Sequence, residues 1–167
     1  MTHREPVGDH VAAIPMHKGR ILLLQRNRPD AHGAEWEFAG KTLEHRGGET
    51  WAQPKFSRDF GRHAADALRA HANLNIGRTR TAVVQTQRLL GGPGHRAFAK
   101  RHHSVLVMLE SQEPPAVQVN GKEYGGFAWA AQDELGKYAL KKHERSAALL
   151  AFKKNAQLQR LKKTYTS

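Results

Sequence analysis

Three acids in the first half of the chain, Glu44, Glu49 and Asp66, could serve metal-assisted hydrolysis of a phosphate ester. Mg²⁺ and Mn²⁺ are hard cations that take oxygen ligands, stabilise phosphate charge and activate water. Around Asp66, however, the segment Asp66-Ala67-Leu68-Arg69-Ala70-His71-Ala72-Asn73-Leu74 offers little else. Ala67 and Ala70 have no ligand atom, and the lone imidazole of His71 is a poor Mg²⁺ ligand, better suited to a surface or hydrogen-bonding role. His102-His103 could suggest another metal pair, but neighbours on a strand point to opposite faces, which argues against shared ligation.

A second chemistry is charge. Lys and Arg number 27 against 15 Asp and Glu, a formal +12 in 167 residues, which implies a polyanionic partner, nucleic acid being the commonest. Between Gly77 and Leu109 there is no acid, while Arg78, Arg80, Arg96, Lys100, Arg101 and His102 offer positive or titratable groups. Lys153, Lys154, Arg160, Lys162 and Lys163 continue the basic character to the C-terminus. Both sets are candidate RNA- or partner-binding residues. Their contacts with phosphate would position without reading sequence, giving salt-sensitive association.

The elements that must position these residues follow from patterning. Val11 to Ile14 and Arg20 to Gln25 flank a turn at Lys18-Gly19 and read as a hairpin. Trp36 to Phe38 alternates like a half-buried strand. The stretch from Gly40 to Gly61 contains Pro54 and several glycines and reads as an irregular loop, with an insertion over about 49–61 of the kind that is functional or partner-facing. A helix from Arg62 to Asn73 buries Ala65, Leu68 and Ala72, leaving Ala67 and Ala70 toward the chemical face. Thr79 to Leu89 and Ala97 to Leu109 read as two strands, the second ending in the apolar run of a central strand, with His95 to His103 projecting from the sheet's end. Phe127 to Trp129 is a short strand, and Tyr138 to about Leu161 a helix with Ala147, Leu150, Ala151, Leu158 and Leu161 as its apolar strip.

The domain division is an extension at 1–9, a domain at 10–152, and a basic tail or helix end at 153–167. There is no cysteine, so no disulfide or thiolate metal site is available. No apolar run approaches membrane-spanning length. The first ten residues are unlike an Arg/Ser-rich transit peptide.

The 36–76 segment resembles the Nudix motif: Gly, five residues, Glu, seven residues, then Arg-Glu-U-x-Glu-Glu-x-Gly-U, where U is a bulky aliphatic. Leu68 and Leu74 fill the U positions, Ala64-Ala65 precede them, and Asn73 stands for the closing Gly. The motif's three helix glutamates fall on Ala67, Ala70 and His71, and Asp66 sits where the motif has Arg. The resemblance implies an α/β fold, a single Nudix-like α/β/α sandwich with a mixed sheet. Several further features are similar to the Nudix-like protein of the mitochondrial ribosome's large subunit: Gly48-Glu49-Thr50, Lys100 to Leu109, and Phe127-Ala-Trp129 before Asp133-Glu-Leu-Gly-Lys-Tyr138. That likeness spans residues 10 to 153. It implies a non-catalytic structural component without cofactor, located in the mitochondrial matrix, contacting neighbouring large-subunit proteins and rRNA and no membrane. Two alternatives stay open. One is an active Nudix pyrophosphohydrolase with a metal site relocated to Glu44, Glu49 and Asp66. The other is a free-standing RNA- or nucleotide-binding module using the same pocket.

Overall fold

The computed structural model describes residues 8–31, 33–44, 60–77, 79–89 and 100–166. Apolar runs at Val11–Met16, Ile21–Leu24 and Val105–Met108 suit strands covered on both faces. They form the middle of a mixed sheet made of β1 (Gly8–His17), β2 (Arg20–Arg26), β3 (Trp36–Glu37), β4 (Ala39–Glu44), β5 (Arg80–Leu89), β6 (Lys100–Leu109) and β7 (Tyr124–Ala131). β1 runs parallel to β6 along its whole length, from Gly8↔Lys100 to His17↔Leu109, and β6 pairs antiparallel with β5. The expected hairpin is present: Lys18 and Gly19 both take positive φ, 46° and 75°, as a two-residue turn between right-twisted strands requires.

β1 and β2 pair only at Met16↔Ile21 and His17↔Arg20 and then diverge. The chain from Trp36 to Glu44 fills the gap, joining β2 as β3 and β1 as β4. β4 corrects the irregular loop expected from Gly40 onward. At Gly40 the His10 ring packs against the backbone, and a Cβ there would lie 2.4 Å from His10 Nε2, so any side chain would have to displace that ring. The insertion at 49–61 lies outside the described residues apart from Phe60 and Gly61, which belong to a helix.

That helix, α1 (Phe60–Ala72), covers one sheet face. Ala64, Ala67, Leu68 and Ala72 pack with Val11, Ala13, Leu22, Leu24, Val105 and Val107. Ala64 and Ala67 therefore take the place expected for Ala65, which is only half-buried. Asn73 ends the helix with φ of 52°, and the Leu74 N–H donates back to the Leu68 carbonyl. The other face is covered by α2 (Lys142–Thr166), reached from β7 through a 3-10 turn at Gln132–Lys137. Ala147, Ala148, Ala151 and Phe152 meet Ile14, Met16, Ile21, Leu23, Leu106 and Met108. Leu150 and Leu161, expected on that strip, are instead exposed, and Leu158 packs at its edge. The helix continues through most of the expected tail. Two helical layers around a mixed sheet make the α/β/α sandwich that the sequence implies.

Glu144, in the first turn of α2, is 5% exposed and accepts the backbone N–H groups of Lys141 and Phe38, while its Oε2 has no partner. Burial, with Glu37 adding to it against the opposing charge of Lys141, pushes its carboxyl up to about 7. A carboxyl raised on folding binds a proton in the native state that the unfolded chain has released. Stability therefore falls as pH rises from about 4.5 through about 7. Glu144→Gln should flatten that dependence and raise the melting temperature above pH 7, measured by thermal unfolding across the range.

Candidate functional site

β4 and the C-terminal half of α1 border an open cavity of about 490 Å³, lined by Gly40, Lys41, Thr42, Asp66, Ala67, Arg69, Ala70 and His71. Four of the residues singled out in the motif-like helix thus meet on one wall: Asp66, Ala67, Ala70 and His71. Leu68 and Leu74 point into the core instead. His71 pins the helix to the strand, its Nε2–H donating to the Gly40 carbonyl at 3.0 Å. Its Nδ1 stands 3.5 Å from Glu123 Oε2, and its ring is edge-on to Tyr124. The chain before β7 closes the helix end, as Gln118 N–H and Asn120 N–H bind the carbonyls of Ala72 and His71.

The polar floor of this cavity is an ion cluster. Lys41 Nζ donates to Asp66 Oδ2 at 3.0 Å, and Arg69 NH1 lies 3.6 Å from Asp66 Oδ1. The Lys41 hydrogen bond, reinforced by the charges of Lys41 and Arg69, holds the Asp66 carboxyl below the usual carboxylate range. Asp66 is thus an anion at any ordinary pH, with both oxygens turned to cations.

A second cavity, about 540 Å³, is lined by Arg26, Asn27, Arg28, Glu37, Lys122 and Glu123. The Glu123–His71 contact joins the walls of the two. In the second, Glu37 bonds Arg26 NH1 at 3.0 Å and accepts the Tyr124 hydroxyl at 2.8 Å. Burial and the Glu37 charge hold Tyr124 above the ordinary phenol range, so it stays a donor.

The described residues do not fit a divalent cation. Asp66 is the sole acid of α1 and is already neutralised by Lys41 and Arg69, while Ala67 and Ala70 have no donor atom. His71 has its Nε2 engaged by a carbonyl. No group of three or more His, Asp and Glu side chains converges among the described residues. Glu49 lies outside them, and of Glu44 only the backbone, paired with Gly8, is described.

No family model matches the sequence, and no curated protein matches it. Solved structures do. A MutT Nudix hydrolase from Burkholderia pseudomallei is 18% identical, with a TM-score of 0.60 over 86% of this chain and 96% of that one. An Ap4A hydrolase from C. elegans, in a binary complex, is 16% identical with a TM-score of 0.54, over 92% and 98%. The Nudix domain of Shewanella oneidensis NrtR, complexed with ADP ribose, is 11% identical with a TM-score of 0.58, over 90% and 88%. At these identities the likeness establishes the Nudix fold.

The likeness also corrects the expected ribosomal role. The neighbours are Nudix proteins, with hydrolases prominent among them, and nothing in them indicates a ribosomal or mitochondrial protein. Two of the features read as ribosomal are parts of the fold, while Gly48-Glu49-Thr50 lies outside the described residues. Lys100 to Leu109 is the central strand β6, and Phe127 to Tyr138 is β7 with its 3-10 turn. They mark the sandwich rather than a ribosomal address. The expectation of a chain without catalysis falls with that role.

The proposed basic surface is only partly assembled. Lys100 to His103 do not project from the sheet's end, since they pair with Gly8 to Val11 of β1 and with β5. Arg101 grips the buried Asp9 through Nε at 2.9 Å and a second nitrogen at 3.1 Å. His103 Nε2–H donates to the same Asp9 at 2.8 Å, its Nδ1 accepts from the Thr86 hydroxyl at 3.1 Å, and Phe60 stacks on its ring. His102 is buried between the rings of His10 and His143. Burial, with the crowding of other imidazoles and Lys141 against any added positive charge, pushes it down to about 3 and keeps it neutral. His102 therefore offers no charge to a polyanion, and Arg101 is engaged by Asp9. Arg80, Lys153, Lys154, Arg160 and Lys163 are exposed, and Lys162 lies 3.8 Å from Glu110. Arg78, Arg96 and the Lys100 side chain lie outside the described residues.

Sequence reading missed Lys41, Arg69, Asp9 and Glu123. The signal for Lys41 was its alternation within Ala39–Glu44, obscured by the glycine beside it. Asp9→Asn should cost about 1–3 kcal/mol, because it removes the charge that the half-buried Arg101 and the buried His103 share. Chemical denaturation of the variant against the parent measures this.

Proposed function

We propose that this chain is a Nudix-type pyrophosphohydrolase of nucleoside diphosphate derivatives, with the diphosphate lying in the cavity between β4 and α1. One observation carries the reading: on a Nudix fold, the face of the motif-like helix opens into a cavity whose polar groups are Lys41, Arg69, Asp66 and the anchored His71. A diphosphate is a compact polyanion, and ammonium and guanidinium groups are suited to it, the latter through paired N–H donors. The adjoining cavity, with Arg26, Arg28 and Lys122, leaves room for the remainder of the substrate. The reaction is attack of water on one phosphorus, breaking the P–O–P link to give a nucleoside monophosphate and a phosphorylated remainder.

A second reading, a nucleotide-binding domain like the NrtR domain that was solved with ADP ribose, is favoured by Ala67 and Ala70, which give the helix no metal ligands.

The test is hydrolysis of a broad panel of nucleoside diphosphate derivatives and dinucleoside polyphosphates, with and without Mg²⁺ or Mn²⁺. Turnover of at least one is expected, with kcat/KM reduced about tenfold or more by Lys41→Met, the loss of one charged hydrogen bond to phosphate. Binding without turnover of any member would favour the second reading over the first.

A further inference from the structure

Diphosphate chemistry needs positive charge close to the phosphates, and this cavity holds positive charge in an unusual form. Lys41 enters from the strand and Arg69 from the helix, and both converge on Asp66, which lies between them at 3.0 and 3.6 Å. The three side chains remain partly exposed, at 37%, 60% and 32%, so a ligand can reach them without unfolding anything. Ala67 and Ala70 clear the wall beside them. A carboxylate between two cations occupies the place an external anion would take, with two oxygens presented to two donors. The described residues, by contrast, provide no oxygen cage for a divalent ion.

Resting on the nucleotide reading above, we propose that Lys41 and Arg69 take over the charge neutralisation that a divalent cation would give, and that Asp66 is an internal anion which the diphosphate displaces. The exchange is ionic: the Lys41 and Arg69 contacts to the Asp66 oxygens give way to contacts with phosphate oxygens. No bond is made or broken in it. Two signs follow that a metal-ligand role for Asp66 reverses. Binding should not need a divalent cation, and removal of the Asp66 charge should strengthen it.

The experiment is calorimetric titration of the full chain with ADP-ribose and, separately, with inorganic pyrophosphate, in excess EDTA and in excess Mg²⁺. ADP-ribose should bind in both, with dissociation constants within about twofold of one another. Asp66→Asn should bind about threefold tighter, as expected of losing a partly exposed competing ion pair. Lys41→Met should bind about tenfold weaker, with Lys41→Arg restoring most of the affinity. Melting curves for each variant separate these effects from loss of fold. Binding that appears only with Mg²⁺ and is lost in Asp66→Asn or Glu49→Gln overturns the inference while leaving the nucleotide reading intact. Absence of binding to any nucleotide under either condition overturns both.

Discussion

The ion pair between Lys41 and Asp66 joins strand β4 to helix α1 across the cavity that lies between them. Its geometry depends on β4 being a strand and on α1 presenting position 66 toward it. Where the Nudix motif has glutamates, this helix has alanine and histidine. The charge in the cavity is consequently balanced by a lysine and an arginine. A phosphate ligand entering here would meet cations already in place, each held by the same carboxylate.

The sheet provides the frame for that arrangement. The parallel register of β1 and β6 fixes β1, and β1 in turn fixes β4, so Gly40 and Lys41 stand opposite Ala12 and Val11. Asp9 secures this order at one end by binding Arg101 and His103 of β6 while buried. At the helix end, His71 ties α1 to the Gly40 carbonyl. A structure built for surface charge alone would have no need of a buried Asp9 clamp beneath basic residues. Here, part of the positive charge that dominates the composition is used to hold strands together, while Lys153, Lys154, Arg160, Lys162 and Lys163 stay exposed on α2.

Much of the sandwich was legible in the chain. Continuous apolar runs at 21–24 and 104–109 mark central strands because a strand covered on both faces cannot alternate. The aliphatic spacing of Leu68 and Leu74 and the left-handed turn at Asn73 likewise locate the end of α1. β4 was hidden, since Gly40 reads as a turn until its neighbour His10 is seen to need the space. The site was harder still. Lys41 and Arg69 are ordinary surface cations in the sequence, and only tertiary pairing brings them to one carboxylate. Arg101 and His102 look like a basic patch in the sequence, but tertiary pairing ties Arg101 to a buried aspartate and packs His102 among imidazoles. The ribosomal expectation failed for a related reason: it rested on strands and a turn that belong to the fold itself.

Backbone amide resonances of the full chain, followed during titration with ADP-ribose, test the placement of the site most directly. The account predicts that shifts concentrate at Gly40 to Thr42 and Asp66 to His71. Shifts confined to the outer face of α2, from Lys153 to Lys163, with the β4–α1 cavity unmoved, would contradict it.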